Sequence, residues 1–203
     1  MTELTPRAGN TDTSSAAAAA LRALHVPGRP LVLPNAWDAG TARLVAEAGF
    51  PVVATSSAAV AESLGYADHQ EAPAAEMFAA AARVVRAVDV PVTVDAEAGY
   101  GLPAAEFAAR LARTGAVGCN LEDTDHAAGG LAPAGRQAEY LAAVRAASPD
   151  LVINARVDVF VGADDEHAVL GEAVERARAY VAAGADCVYP ILLRDHCGHP
   201  ERN

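Results

Sequence analysis

Short apolar runs of strand length recur along the chain at residues 31–34, 52–55, 90–94, 116–121, 151–155 and 187–193. Helix-like stretches separate them, among them residues 41–48 closed by Gly49, 103–113 closed by Gly115, 136–147 closed by Ser148-Pro149, and 172–183 closed by Gly184. A glycine just past the last helical residue is the usual left-handed stop. Strands that are apolar almost throughout are buried on both faces, and their alternation with helices implies parallel strands joined by crossover connections. No Gly-x-Gly-x-x-Gly follows the first run, and polar residues end several successive runs. The pattern therefore predicts an α/β chain, a (β/α)8 TIM-type barrel of which about six of the eight units are present.

Two connections are longer than simple turns. Residues 56–73 contain Gly65-Tyr66-Ala67-Asp68 and read as a mobile cover over a site, and residues 123–133 carry Asp125, His126 and Gly129-Gly130. The 203 residues fit a single domain, with 1–20 read as a flexible tail and 195–203 as an atypical C-terminal tail.

In a barrel, catalysis gathers where strands give way to loops at their C-terminal ends. Here the third, fourth and fifth runs end in Asp95-Ala-Glu97, Asn120-Leu-Glu122-Asp123 and Asn154-Ala-Arg156-Val-Asp158. Residues two apart on a strand share a face, so Asp95 and Glu97 are expected inside the barrel, beside Glu122 of the next strand. Three converging carboxylates repel one another unless a hard cation sits among them; magnesium keeps several waters and takes one or two protein carboxylates, which puts Asp95 innermost. Arg156 reads either as a fork for a substrate carboxylate or as one half of a structural ion pair. Thr55-Ser56-Ser57 offers hydroxyls and N–H groups to an anion, or is an ordinary polar loop. Trp37 either walls the pocket or packs in the core, and Asp38 is placed to cap the helix that follows. His126 is the histidine nearest the acids and a candidate acid or base; Tyr100 and a metal-bound water are equally open as proton donor. Gly99-Tyr100-Gly101 is a turn, or a place where backbone approaches a ligand.

Composition narrows the partners. A net charge of −11 argues against nucleic acid and anionic membranes. No apolar run approaches ~20 residues, so nothing in the sequence spans a membrane. Three cysteines, an odd number without a recognisable export signal, point to the cytoplasm rather than a disulfide framework.

Asp95-Ala-Glu97-Ala-Gly-Tyr-Gly101, Pro34-Asn35-Ala-Trp37-Asp38-Ala-Gly-Thr41-Ala-Arg43, Asn120-Leu-Glu122-Asp123 and Ile153-Asn154-Ala-Arg156-Val-Asp158 together resemble the isocitrate lyase and phosphoenolpyruvate mutase superfamily, in its phosphonomutase-like branch. The resemblance covers about residues 30–194, with four separated motifs in order. It implies a Mg2+-dependent lyase or mutase-like enzyme, with Mn2+ able to substitute. Such an enzyme makes or cleaves a C–C or P–C bond of a small 2-oxo or 2-hydroxy carboxylic acid through a pyruvate-like enolate. Carried over residue by residue, Asp95, Glu97 and Glu122 hold the metal and Arg156 the substrate carboxylate. Ser56, Ser57 and Ala58 match the loop whose backbone also holds that carboxylate, with Trp37, Asn120 and Asn154 as further substrate contacts. Asp68 matches an acid on the gating loop.

Three departures qualify what is implied. Lyase members carry Lys-x-Cys-Gly-His soon after the fourth strand, whereas this chain reads Thr124-Asp125-His126-Ala-Ala-Gly-Gly, which argues against isocitrate or methylisocitrate lyase activity. The Cys197-Gly-His199 near the end is read as coincidence. The Lys and Asn of the mutases are missing from the same loop, which argues against phosphonomutase activity. Family members also continue through two more strand-helix units, so the sequence reads as C-terminally truncated, with open edges at the first and sixth strands that a homo-oligomer would cover. The contrasting expectation is an inactive truncated barrel that retains a metal and carboxylate site. A phosphate-binding barrel is a weaker third reading, since phosphate loops usually follow the seventh and eighth strands.

Overall fold

The computed structural model describes residues 11–193, so the tail at 195–203, with its Cys197-Gly-His199, lies outside the described residues. Six parallel strands form one sheet in the order β1-β2-β3-β4-β5-β6. They are β1 (Asn35–Ala36), β2 (Val53–Thr55), β3 (Val92–Asp95), β4 (Gly118–Glu122), β5 (Val152–Val157) and β6 (Cys187–Pro190). Each strand pairs with its predecessor in sequence, the single winding of a barrel wall; a doubly wound sheet would reverse direction at a switch point. The first strand forms one step later than the apolar run at 31–34 predicts. Leu31 and Leu33 pack instead beneath the sheet.

Helices follow the strands: α2 (Ala39–Glu47), α3 (Ser57–Leu64), α4 (Ala74–Arg86), α5 (Ala104–Thr114), α6 (Ala134–Ala147) and α7 (Glu166–Ala182). Asp38 caps α2 as expected, its carboxylate accepting from the Thr41 N–H at 2.7 Å in a reciprocal capping box. Pro73, Pro103 and Pro133 stand at the starts of α4, α5 and α6, where the locked φ costs no helical hydrogen bond. The 56–73 segment is not one long cover. Its first half is α3, leaving residues 65–73 as the connection to α4.

Side chains alternate across the wall. Outward residues such as Val92, Val94, Cys119, Leu121, Ile153 and Val157 pack under the helices against Phe107, Leu111, Leu141 and Val144. The inward rows differ, because register sets Asp95 beside Asn120, Asn120 beside Asn154, and Glu122 beside Arg156. The wall is therefore apolar outside and polar inside near its C-terminal rim.

The N-terminal end is closed by α1 (Thr11–Leu24), which revises the reading of 1–20 as a tail from Thr11 onward. Ala18 and Leu21 of α1 are buried against Val52, Val117 and Val152. Burying a leucine this fully stabilises by about 1.5–3 kcal/mol. A Cβ on Gly118 would stand 2.7 Å from the Leu21 side chain and 2.9 Å from Thr93 Oγ1, so that glycine makes room for the plug.

Candidate active site

The inward rows open into a cavity of about 580 Å3. Its polar wall comes from strand ends: Asn35, Thr55, Thr93, Asp95, Asn120, Asn154 and Arg156. Ser56, Ser57 and Ala58 at the start of α3, with Asp68 and His69 of the following loop, complete that side.

Asp95 is held by β2 and α3. Its N–H donates to Thr55 Oγ1 at 2.9 Å, and its Oδ2 accepts from the Ser57 N–H at 3.1 Å and the Ser57 hydroxyl at 2.8 Å. Its Oδ1 is buried and has no hydrogen-bond partner among the described residues. Ser57 thus holds the carboxylate and Thr55 the Asp95 backbone, so the N–H and hydroxyl of Ser57 expected to serve a substrate are engaged by Asp95 here, although Ser57 still lines the cavity. Ser56 caps α3, accepting weakly from the Ala59 N–H at 3.4 Å.

Glu97 is not placed by strand alternation, because β3 ends at Asp95 and Glu97 adopts a left-handed backbone with φ 48°. It still converges on the acids from behind the cavity lining. Glu122 donates its N–H to the Glu97 carbonyl at 3.0 Å, and the Glu97 carboxylate accepts from the Gln70 N–H at 2.6 Å. Burial is the main cause that pushes Glu97 up to about 7, with Asp68 and Asp95 adding to it against the Gln70 hydrogen bond. Burial likewise pushes Glu122 up to about 8, in spite of the Arg156 guanidinium beside it. The acids are buried more deeply than their negative charges alone would tolerate.

Among the described residues no three acid, histidine or cysteine side chains close into a ready-made metal cage. Both Glu122 oxygens are engaged, one by His126 Nε2 at 2.6 Å and one by Arg156 at 2.7 Å. Asp95 alone of the trio lines the cavity and keeps a buried oxygen without a partner. That arrangement suits a hard divalent cation held largely through water, and does not suit direct ligation by all three carboxylates.

Arg156 answers both of the readings its sequence left open. It lines the cavity, and it also forms a bidentate pair with Asp158 at 2.7 and 2.8 Å and a third contact with Glu122. Burial works against its charge, but the Asp158 hydrogen bonds and the Glu122 carboxylate more than offset that, and its pKa is raised. Asp158 is fixed in turn: its carboxylate accepts from Thr124 Oγ1 at 2.6 Å and its N–H donates to Asp123 at 2.8 Å. Asp123 is fully buried and accepts from Tyr180 at 2.6 Å and Arg176 at 3.1 Å. Asp123 and Asp158 stand in the quoted motifs, but Tyr180 and Arg176 lie within α7 with no motif to signal them.

Asn154 Nδ2 donates to Asn120 Oδ1 at 2.8 Å, so the two amides present themselves to the cavity as a pair. Trp37 does not line the cavity and is 42% exposed; the chain has left β1 by then, and its N–H serves the α2 cap through Thr41. His126 reaches Glu122 but faces a neighbouring cavity of about 520 Å3 between the post-β4 loop, α5 and α6. Burial lowers its pKa, with His69 and Arg156 adding to the effect. His69 lies 5.7 Å from it, ring centre to ring centre, and Gln70 lines that neighbouring cavity. No sequence pattern signals either residue, since both act through left-handed loop backbone, φ 68° and 63°. Tyr100 packs edge-on against Phe78, and burial raises its pKa well above the ordinary value. At Gly99 a Cβ would collide with the Tyr140 hydroxyl, so that glycine serves packing against α6.

The family profile of phosphoenolpyruvate phosphomutase matches residues 21–197. The chain is 33% identical over 173 residues to 2-methylisocitrate lyase of Bacillus subtilis, covering 81% of this chain and 56% of that protein. It is 33% identical over 201 residues to phosphoenolpyruvate phosphomutase of Streptomyces hygroscopicus, covering 89% of this chain and 61% of the other. It thus spans less than two thirds of the length of these curated relatives. A crystal structure of a candidate phosphonomutase from Burkholderia cenocepacia superposes with a TM-score of 0.81 at 46% identity, over 84% of this chain and 73% of that one. Sequence and fold agree, and the chain belongs to the phosphoenolpyruvate phosphomutase family of the isocitrate lyase superfamily.

Proposed function

We propose that the chain carries the active site of a Mg2+-dependent lyase or mutase-like enzyme acting on a small 2-oxo or 2-hydroxy carboxylic acid. A C–C or P–C bond is made or cleaved beside the carboxylate through a pyruvate-like enolate, and Mn2+ substitutes for Mg2+. One observation carries this reading: Asp95 keeps a buried oxygen without a partner in the cavity that Arg156 also lines. An acid with an oxygen to spare and a guanidinium in one cavity match a cation and a carboxylate.

When bound, the cation acts as a Lewis acid on the substrate carbonyl, worth several kcal/mol of barrier. Asp95 would hold it, with Glu97 and Glu122 behind. Arg156 orients the carboxylate, and Asp158 keeps the guanidinium plane fixed so that little reorganisation is needed on binding. The N-terminus of α3, at Ser56 to Ala58, adds partial positive charge at the same wall. Asn120 and Asn154 offer amide hydrogen bonds to substrate oxygens. Asp68 reaches the cavity from the loop after α3, in position to act as that loop moves.

The test is Mg2+-dependent exchange of the C3 protons of pyruvate in D2O, followed by NMR. Exchange by the wild-type protein and none by Asp95→Ala is expected; no exchange from folded wild type overturns the enolate. A second reading, a barrel that binds metal and carboxylate without turnover, is favoured by the prior engagement of Arg156 with Asp158 and Glu122. Mg2+-dependent thermal stabilisation by oxalate without any exchange selects it.

A further inference from the structure

The same cavity has a second, different wall. Leu31, Leu33, Val161, Tyr189, Ile191 and Leu192 line it as well, Tyr189 standing beside Arg156 in register. Val161 and Leu192 are 52% and 61% exposed, which leaves apolar surface at the cavity mouth still to be covered. Cationic groups are scarce. The 203 residues contain no lysine, and among the described residues lining the cavity Arg156 is the single arginine and His69 the single histidine. Arg156 already faces Asp158 and Glu122. Arg136, on the neighbouring cavity, is paired with Asp125 at 3.0 Å.

We propose that this site takes a 2-oxo or 2-hydroxy acid with a single anionic group and an apolar substituent, and discriminates against di- and tricarboxylates and phosphonates. The inference rests on the carboxylate reading above. Arg156 and the cation at Asp95 account for one carboxylate and the adjacent oxygen. A second anionic group would then lie against leucine and isoleucine, or beside the Asp68 carboxylate, desolvated and with no arginine or lysine left to pair it among the described lining residues. An alkyl substituent in the same place removes its own surface and that of Val161 and Leu192 from water. Pockets that combine an apolar lining with a few convergent polar groups select ligands in this way.

Affinities of the 203-residue chain in saturating Mg2+ are compared for pyruvate, 4-methyl-2-oxopentanoate, 2-oxoglutarate and phosphonopyruvate by titration calorimetry. 4-Methyl-2-oxopentanoate is expected to bind at least about tenfold more tightly than each of the other three, about 1.4 kcal/mol. Val161→Arg, at an exposed loop position, is expected to reverse the order of 4-methyl-2-oxopentanoate and 2-oxoglutarate. Equal or tighter binding of 2-oxoglutarate or phosphonopyruvate by the wild type overturns the inference and leaves the carboxylate site standing. Equal binding of pyruvate and 4-methyl-2-oxopentanoate overturns it as well. Binding of none of the four overturns the carboxylate reading, and this inference with it.

Discussion

Ser57 donates both its backbone N–H and its hydroxyl to the same oxygen of Asp95, at 3.1 and 2.8 Å, which leaves the other oxygen buried and without a partner. Two donors on Oδ2 fix the carboxylate plane, so Oδ1 is the atom presented to a cation. Residues that orient a metal ligand without touching the metal commonly matter about 10–100-fold in affinity. Ser57→Ala removes one of the two donors and is expected to weaken Mn2+ binding by about tenfold, with far-UV circular dichroism unchanged. Asp95→Asn, which keeps the shape and removes the charge, is expected to abolish binding. Mn2+ titration followed by electron paramagnetic resonance measures both; an unaltered affinity in Asp95→Asn would remove Asp95 from the metal site, and one in Ser57→Ala would show that the Ser57 N–H alone holds the carboxylate.

A second cluster of charge lies at the opposite end of the wall. Asp186, just before β6, accepts from Arg22 of α1 at 2.7 Å, Arg145 of α6 at 2.6 Å and the Ile153 N–H of β5 at 2.8 Å. Burial opposes its ionisation, but the Arg22 hydrogen bond, the Ile153 N–H and the Arg145 charge outweigh that and lower its pKa. A carboxyl group whose folded pKa lies below the unfolded one stabilises the fold above the unfolded value, here near 3.8, and loses that contribution as pH falls through the folded value. Asp186→Asn is therefore expected to cost about 1–3 kcal/mol at neutral pH, and the gap to wild type should shrink below pH ~3.8. Urea denaturation at neutral and acid pH measures the difference; a gap that does not change with pH would show that Asp186 acts through shape alone.

The strand-helix alternation, the barrel class and the three acid-bearing strand ends are all legible in the sequence, because buried parallel strands leave unbroken apolar runs and polar residues at their ends. What is not legible comes from places where the chain leaves strand geometry. Trp37 and Glu97 read as strand-end residues, yet β1 stops at Ala36 and β3 at Asp95, so neither follows the parity of its strand. α1 is hidden because an alanine run carries little amphipathic signal, and its burial depends on a glycine in β4, far along the chain. The commitment of Ser57 to Asp95 is a contact between residues 38 apart, which no local pattern encodes.

Arg156 owes its position to a relay reaching α7. Asp158 holds the guanidinium, Asp123 receives the Asp158 N–H, and Tyr180 and Arg176 hold Asp123 in a fully buried setting. Removing the hub carboxylate leaves the Tyr180 hydroxyl and the Asp158 N–H without this acceptor and Arg176 with Glu172, at 2.8 Å, as its remaining carboxylate; breaking a buried pair from one side costs about 3–5 kcal/mol. Asp123→Ala is expected to fall in that range, whereas Tyr180→Phe, which deletes one hydrogen bond, should cost about 1 kcal/mol. Guanidinium denaturation separates the two. A loss in Asp123→Ala no larger than in Tyr180→Phe would mean that Glu172 alone suffices for Arg176 and the relay does not operate as a unit.

The plug at the base of the barrel can be tested from both sides of one contact. Leu21 of α1 is 1% exposed and enters the space that Gly118 of β4 leaves by having no side chain. Leu21→Ala leaves a cavity among Val52, Val117 and Val152 and is expected to cost about 2–5 kcal/mol. Gly118→Ala instead sets a methyl group against Leu21 and Thr93, an overpacking expected to cost about 1–3 kcal/mol. If the two act on one contact, their effects are not additive: in the double variant the shortened side chain on α1 makes room for the methyl group added on β4, and the total loss falls below the sum. A urea-unfolding double-mutant cycle reads this coupling. Strict additivity would show that α1 and β4 are held by separate contacts, and that Gly118 is small because of Thr93 rather than the helix.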